Sequence, residues 1–496
     1  MKGLISALIL CGLLLQPVRA MAAPTEFSGG VNNEYEYTEY VFLSGQPVKF
    51  SGTYKITDTT SKDKRTIGYT FSLTPADAGV SGKLSRTVTY TVTYNDRNDK
   101  GQTIAQTALT RYTESVDLDG AKYNLRDFQF SKSDVIDNRP VSDFYSGNIK
   151  GRKYYTINNT QGKATVDISG GNVGYENFWG NTDTQIIDYV INVERPSTGE
   201  EEEDLSWHGT VKVQVSDSTT KTLRYSENAA SFTSIEGGYM KVTGREMVSK
   251  YDYDLPRMSD GVPDDDKRKS GTVELSQQMV PKVERLIVPK FRDIGGHWAE
   301  EDIKRLYSLD VFDETAQFFN PQLPMTRTEY TKAVMRSCNI RPAVSTKKTT
   351  ATSRNKTPEV SQFNDVATTD PSYEYIKDAV NKGIIQGVSK SSFKPEDPLT
   401  RAAAVVVLIR ALGFEGKAPT PGYATAFDDD GRILSWAKDS VYVAREIGLI
   451  SGDSQNNFNP DQQLTRAEAS ALLVKFLKFL EQDLQKDYRE NIILYN

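Results

Sequence analysis

One pair of short motifs occurs three times in the C-terminal part of this 496-residue chain. A Phe-x-Pro turn is followed by Thr-Arg, with the threonine seven positions after the phenylalanine, at Phe319 and Thr326, Phe393 and Thr400, and Phe458 and Thr465. A constant spacing repeated in this way is typical of one supersecondary unit used several times, because each unit needs its neighbours to bury its apolar face. We therefore predict three copies of one unit that share a core.

Each copy is also predicted to contain two helices. An earlier Phe-x-Asp motif precedes a segment with helical periodicity in every copy, starting at Phe291, Phe363 and Phe427. Thr326-Arg327-Thr328-Glu329 and Thr465-Arg466-Ala467-Glu468 have the spacing of capping boxes, in which the threonine caps the helix and the glutamate bonds back to it. The helices that follow are rich in apolar residues, and Val405–Ile409 is apolar on nearly every side. Such helices are expected to form a central bundle with the first helices outside.

These motifs resemble the S-layer homology (SLH) domain. The resemblance rests on Phe-x-Asp, Trp-Ala, an internal Gly-Ile-Ile-x-Gly, Phe-x-Pro and Leu-Thr-Arg-Ala-Glu, and it divides the region into modules 291–340, 363–415 and 427–480. It implies that the three modules form an all-α, pseudo-threefold trimer. It also implies non-covalent binding to secondary cell-wall polysaccharide, a peptidoglycan-linked polymer that commonly bears pyruvylated N-acetylmannosamine.

The arginine of each Thr-Arg pair is the first candidate for binding this polymer. These arginines are Arg327, Arg401 and Arg466, and each occupies the first helical position. A cation there interacts unfavourably with the helix dipole, which costs roughly 0.3–1 kcal/mol of helix stability. Beside free backbone N–H groups, a guanidinium forms a compact receptor for an anion such as the carboxylate of a pyruvate ketal. The alternative is a surface arginine paired with the aspartate of a Phe-x-Asp motif, Asp293, Asp365 or Asp429. The repetition in all three modules favours ligand binding.

Two further residue types are candidates for the same sites. Trp298 and Trp436 either stack on a sugar face or pack against the outer helices. The three aspartates either accept hydrogen bonds from sugar hydroxyls or cap a turn. The phenylalanines of both motifs are expected in the core, and the threonines are expected to act as helix caps. The predicted polysaccharide-binding set is therefore three arginines, three aspartates and two tryptophans.

The three modules differ in how completely they match the pattern. Module two has Pro371-Ser372 in place of the tryptophan and Ala403 in place of the capping glutamate. Module one lacks the two glycines that bracket the same segment in the other modules. Module three has the full set, so we predict that Arg466 contributes most to binding and Arg401 least.

Residues 23–255, upstream of these modules, alternate apolar and polar side chains with a period of two. In Arg86–Tyr94, valines and tyrosines alternate with threonines, which places them on opposite faces of a strand. Turn clusters such as Asn95–Gly101 separate the alternating segments. The pattern predicts an all-β, sandwich-like region of one or two domains. The whole chain is predicted to be multidomain.

The remaining segments are predicted to serve export and connection. Residues 1–22 have a lysine, a short apolar run and an Ala-x-Ala site, which are typical of a cleaved signal peptide. The apolar run is too short to span a bilayer, so the mature chain is predicted to have no transmembrane segment. Residues 256–290 and 341–362 are predicted linkers, and 481–496 a C-terminal tail. The second linker is basic and is either a flexible spacer or a strap that contacts an anionic polymer.

Composition excludes several other functions. The net charge of -6, from 60 basic and 66 acidic residues, gives no global signature of nucleic-acid binding. The two histidines and two cysteines offer barely enough ligands for one structural zinc site. We predict no catalytic residues, no metal and no cofactor.

The favoured interpretation is a secreted protein of the cell wall or S-layer, anchored by its C-terminal modules and displaying the β-region outward. Self-assembly into a lattice and a role as a minor surface component are both consistent with it. One alternative is a wall-anchored enzyme that acts on polysaccharide through carboxylates of the β-region. In a retaining glycosidase these would lie about 5–5.5 Å apart. The other alternative is an adhesin whose tyrosine-rich sheet binds a polymer.

Overall fold

The computed structural model describes residues 27–61, 63–195, 205–226, 237–259, 261–312, 317–342, 359–420 and 422–484. The predicted signal peptide, most of the basic linker and all but the start of the C-terminal tail lie outside the described residues.

The N-terminal region is all-β, as predicted, and its strands form one antiparallel sheet. In the strand Gly82–Arg97 the predicted apolar face is confirmed, because Val88, Tyr90 and Val92 are buried. Strands β1 to β13 lie side by side in chain order, and β14 pairs with β12. The strands are β1 (Val31–Asn32), β2 (Tyr37–Val41), β3 (Val48–Ser61), β4 (Lys64–Pro75), β5 (Gly82–Arg97), β6 (Gln102–Leu118), β7 (Ala121–Asn138), β8 (Ser142–Ile157), β9 (Gly162–Asn177), β10 (Gly180–Glu194), β11 (Trp207–Ser226), β12 (Gly238–Ser259), β13 (Val262–Gln278) and β14 (Lys282–Arg285).

A single curled sheet replaces the sandwich-like arrangement predicted for this region, because a sandwich requires two sheets packed face to face. Each strand from β2 to β13 pairs with the one before it, and most of the connections between them are short. Long twisted strands then curl the sheet, so that its concave face encloses an aromatic core around Phe50 and Tyr251, both 0% exposed. Asn33, next to β1, donates a hydrogen bond to Gln277 of β13 at 2.9 Å, so the two edges of the sheet approach each other.

The predicted linker 256–290 is wrong over most of its length. Strand β12 continues to Ser259, and β13 and β14 both pair with it. The charged run Asp264–Lys269 concealed the strand pattern of β13, an edge strand whose one partner among the described strands is β12. Charged side chains are common on such edge strands because they discourage pairing with other chains.

The C-terminal region contains two helices per module, as the repeats predicted. Thr326 and Thr465 form the predicted capping boxes, and Thr400 caps its helix through the N–H of Ala403. Among the described residues, none of the helices is both long and apolar enough to span a membrane. The helices are α1 (Glu300–Ser308), α2 (Arg327–Ser337), α3 (Tyr373–Asn381), α4 (Arg401–Leu412), α5 (Ser435–Glu446) and α6 (Arg466–Lys478), and α6 continues into a π-helical turn at Phe479–Asp483.

The segments that precede α2, α4 and α6 connect the three modules in a closed cycle. The N–H of Leu399 donates to the carbonyl of Met325 at 2.9 Å, that of Leu464 to Leu399 at 3.0 Å, and that of Met325 to Leu464 at 2.9 Å. The three modules also share one buried core, in which α4 buries nine of its twelve residues. This sharing explains why α4 is apolar on nearly every side.

The β-region packs directly on the helical region. Trp179, in the turn between β9 and β10, is 1% exposed and donates its indole N–H to the carbonyl of Ser337 at 3.0 Å. Tyr239 of β12 donates its hydroxyl hydrogen to Glu301 of α1 at 3.0 Å. Both aromatic residues belong to the same buried cluster as the helices. Ser337 ends α2, so the sheet contacts the end of this helix that is opposite to its Thr-Arg start.

Candidate anion-binding grooves

The three predicted arginines lie at the starts of α2, α4 and α6, and each projects onto the next module of the cycle. Arg327 of module one lies over the ring of Phe393, with 4.9 Å from the guanidinium carbon to the ring centroid. Arg401 of module two lies over Phe458 at 5.3 Å. Arg466 of module three closes the cycle over Phe319 at 4.6 Å. Each candidate site is therefore built by two modules, and each guanidinium has a cation–π contact.

Polar contacts fix the guanidinium groups in place. Arg327 donates to the carbonyls of Phe393 and Gln386, both at 2.9 Å. Arg401 donates to the carbonyl of Ser451 at 3.0 Å. Arg466 forms an ion pair with Glu329. Burial lowers the pKa of Arg327 and of Arg401, but an arginine remains protonated at any physiological pH.

The backbone N–H groups at the helix starts are not free, contrary to our prediction. The N–H of Arg327 donates to Asp397 at 3.1 Å, and the N–H of Thr328 donates to Pro395 at 3.1 Å. The corresponding groups of α4 bond to Gln462 and Pro460, and those of α6 bond to Leu323 and Pro321. These carbonyls belong to the next module, because close packing of the cycle brings its turn onto the helix end. Only the guanidinium of the predicted receptor is therefore left to meet an anion.

The three predicted aspartates hold the Phe-x-Pro turns. Each carboxylate accepts hydrogen bonds from two consecutive backbone N–H groups of the turn, and every N–O distance lies between 2.6 and 3.1 Å. Burial acts to raise the pKa of Asp365, but hydrogen bonds from Phe393, Lys394 and Ser392 outweigh it and lower that pKa to about 2. Turn capping by Asp293, Asp365 and Asp429 is thus present in the structure, and their binding to sugar hydroxyls stays a prediction.

The two predicted tryptophans are on the surface. Trp298, just before α1, is 64% exposed, and Trp436, in the first turn of α5, is 52% exposed. Their rings are accessible to a flat apolar face, as stacking on a sugar requires. The stacking itself stays a prediction.

A groove of about 310 Å³ lies at the boundary between modules three and one. Arg466 and Glu329 form its polar wall together with Lys332, and Phe318 and Leu323 are exposed apolar residues along it. Sequence reasoning missed the last four of these residues. Their proximity to the repeated motifs could have identified three of them. Glu329 and Lys332 follow the Thr-Arg of module one, and Phe318 precedes its turn phenylalanine. The repeats gave no indication that Arg466 would meet a different module.

The β-region buries two carboxylates that share one arginine. Arg86 bonds to both Glu39 and Glu114, and the three side chains are at most 4% exposed. Lys153 lies 3.5 Å from Glu114 and adds a second cation. The arrangement neutralises both carboxylates inside the sheet. In the described part of the chain, no three His, Cys, Asp or Glu side chains are grouped to hold a metal ion.

Comparison with known proteins identifies the repeated region. The family model that matches this chain is described as the S-layer homology domain, and it covers residues 290–331, 362–405 and 426–470. An amylopullulanase of Thermoanaerobacterium thermosulfurigenes is 30% identical over 191 residues, which are 38% of this chain and 9% of that protein.

Other relatives carry the name of a surface-layer protein or of an anchoring protein. A surface-layer 125 kDa protein of Lysinibacillus sphaericus is 27% identical over 41% of this chain and 16% of its own length. A cellulosome-anchoring protein of Acetivibrio thermocellus is 30% identical over 23% of this chain and 26% of its own length. The chain thus spans about a quarter or less of each of these three relatives.

Proposed function

We propose that this chain, whose residues 290–470 hold three S-layer homology domains, is attached by those domains to an anionic secondary cell-wall polysaccharide. Its domains and its surface-layer relatives indicate a secreted, cell-wall-associated protein. The proposed ligand carries pyruvate ketals on N-acetylmannosamine, so that a carboxylate meets each arginine. The β-region would then be displayed outward.

The observation that carries this proposal is the cyclic placement of the three arginines. Each guanidinium is half-buried between two modules and lies over an aromatic ring. Backbone carbonyls hold Arg327 and Arg401 without pairing their charge, whereas Arg466 is paired with Glu329. A cation fixed in this way is preorganised for a carboxylate, because little side-chain entropy remains to be lost on binding. The cycle also supports the proposed pseudo-threefold arrangement of the modules, since equivalent residues repeat the same contacts.

The other predicted residues have supporting roles in this proposal. Trp298 and Trp436 would stack on sugar faces beside the grooves. The three aspartates shape the turns that place a phenylalanine under each arginine. Arg401, Arg466 and Arg327 would supply the charge.

Cell-wall binding of the purified full chain tests the proposal. We expect it to sediment with peptidoglycan sacculi that retain their polysaccharide and to remain in solution when that polysaccharide has been removed chemically. Replacing all three arginines with alanine should abolish this difference in sedimentation between the two kinds of sacculi. Equal binding to both kinds of sacculi would contradict the proposed ligand.

A wall-anchored enzyme is the second candidate function. It is favoured by relatives named amylopullulanase, exoglucanase and endoglucanase, which match this chain over the SLH region. Release of sugar from wall or plant glycans by the purified chain would support this function. Two-dimensional sheets of the purified chain would instead support a lattice protein, and wall-bound monomers that do neither would support an adhesin.

A further inference from the structure

The third residues of α2, α4 and α6 are equivalent in the repeat. These residues are Glu329, Ala403 and Glu468, and the capping box gives each glutamate a first role within its own helix. Glu329 pairs with Arg466 of module three, and Glu468 is close enough to act on Arg401 of module two. By the same relation, Ala403 is the equivalent residue for Arg327 of module one. The departure of module two from the repeat therefore affects the arginine of module one.

The carboxylate of Glu329 forms an ion pair with the guanidinium of Arg466 inside the protein. One of its oxygens accepts the N–H of Thr326 at 2.9 Å, and the other forms the ion pair with Arg466. A ligand carboxylate has to compete with this oxygen for the guanidinium. Lys332 lines the same groove and contributes a second cation, so we expect Glu329 to weaken anion binding there without abolishing it.

Arg327 has no such competitor. Among the described residues, no carboxylate lies within ion-pair distance of its guanidinium, which contacts two carbonyls and the Phe393 ring. Two nearby carboxylates are already engaged, because Asp365 holds its turn and Asp397 pairs with Lys394 at 3.1 Å. Ala403 ends in a methyl group, so module two adds no carboxylate at this position.

We propose that the third helical residue sets the carboxylate affinity of the arginine across the module boundary, and that Ala403 makes the Arg327 site the tightest of the three. This inference rests on the proposed function. It exchanges the first two places of the order predicted from module completeness, in which Arg466 contributes most. Arg401 takes the lowest place in both orders, since the negative charges of Glu468, Asp453 and Asp429 all act on it.

The first experiment isolates the Arg327 site in the full chain by replacing Arg401 and Arg466 with alanine. The probes are pyruvylated N-acetylmannosamine and the same sugar without pyruvate, measured by titration calorimetry. Ala403→Glu should weaken binding of the pyruvylated probe about tenfold. The matched Ala403→Gln, which adds the same bulk without charge, should weaken it by less than about threefold. Ala403→Glu completes a capping box, so the thermal stability of this variant should not fall. Misfolding would then not explain its loss of affinity for the probe.

The reciprocal experiment isolates the Arg466 groove by replacing Arg327 and Arg401 with alanine. Glu329→Gln keeps an oxygen for the N–H of Thr326 but removes the competing charge, so affinity for the pyruvylated probe should rise several-fold. Equal effects of Glu and Gln at position 403, or weaker binding by Glu329→Gln, would overturn the inference. Pyruvate-independent binding by the unmodified chain would overturn the proposed function itself, whatever these variants do.

Discussion

At the scale of single residues, the three Phe-x-Asp aspartates determine the shape of the grooves. Each holds a turn whose second residue has a positive φ, 55° at Asn320 and 56° at Lys394 and Asn459. A non-glycine residue in this region is strained by about 1 kcal/mol or more. Two hydrogen bonds to a carboxylate offset that strain. They also fix the phenylalanine on which the arginine of another module lies.

Asp365 should make stability depend on pH under acidic conditions. Its pKa is lowered from 3.8 to about 2, so the stability that it contributes is present above pH 3.8 and is lost as the pH falls through 2. We expect Asp365→Asn to lower the melting temperature at neutral pH and to flatten its decline between pH 4 and 2. Glu396→Gln, which changes an exposed carboxylate of the same module, is the control. An unchanged acid profile for Asp365→Asn would show that the turn does not depend on the charge.

The residue scale also shows what the sequence could predict about the sites. The threonine caps were predictable because a cap acts within three positions along the chain. The partner of Arg327 was not, because Phe393 is 66 positions away and belongs to another module. The sequence therefore predicted a site within each arginine's own module, with free backbone N–H groups at the start of the helix. The structure brings the next turn onto those groups.

At the scale of elements, the end of α6 and the strands of the β-region meet in a buried contact that includes a carboxyl group. Glu481, in the π-helical turn, is 5% exposed. Burial raises its pKa to about 7, against the opposing effects of Arg305, of a hydrogen bond from the N–H of Leu223, and of Lys478. The chain therefore keeps a protonated carboxyl group at this contact in mildly acidic conditions.

Glu481 should destabilise the protein as the pH rises. Its pKa is higher in the folded chain than the ordinary 4.5, so the free energy of unfolding falls as the pH rises from 4.5 to about 7. We expect Glu481→Gln to raise that free energy by roughly 1–3 kcal/mol at pH 8 and to leave it nearly unchanged at pH 4. Chemical denaturation at both pH values measures this. Glu446→Gln at the exposed end of α5 should have no such effect, and a matching gain there would argue against the role of burial.

Two tryptophans should separate stability from binding. Trp179→Ala removes a buried ring and its hydrogen bond to Ser337, so we expect a loss of about 3–5 kcal/mol in the free energy of unfolding. Trp298→Ala removes an exposed ring and should change that free energy by less than about 0.5 kcal/mol. Because the proposed site stacks this ring on the polymer, a smaller fraction of Trp298→Ala should sediment with sacculi. Full binding by this variant would leave Trp298 without a role in the site.

At the scale of the whole molecule, the sheet and the three modules share one buried cluster. Tyr175, Trp179, Leu223 and Tyr239 of the β-region belong to the core that contains the central helices. A linker was predicted between the two regions because residues 256–290 are rich in charge. Whether a charged segment is a linker or an edge strand depends on a neighbouring strand, and local composition does not reveal that neighbour.

The shared core should make the full chain unfold as one unit. We expect one calorimetric transition, whose midpoint coincides with the loss of the Trp179 signal and with the loss of helical circular dichroism. Comparing the unmodified chain with Trp179→Phe assigns the fluorescence to that residue. Two separated transitions would mean that the β-region and the modules unfold independently.

The direction of α2 has a mechanical consequence. Its Thr-Arg end belongs to the proposed polymer site and its Ser337 end contacts the sheet, so its eleven residues act as a spacer of about 16 Å between them. A pull that separates the displayed sheet from the wall would run along this helix and load the Trp179 contact. The core that the sheet shares with the modules would bear this load together with Trp179.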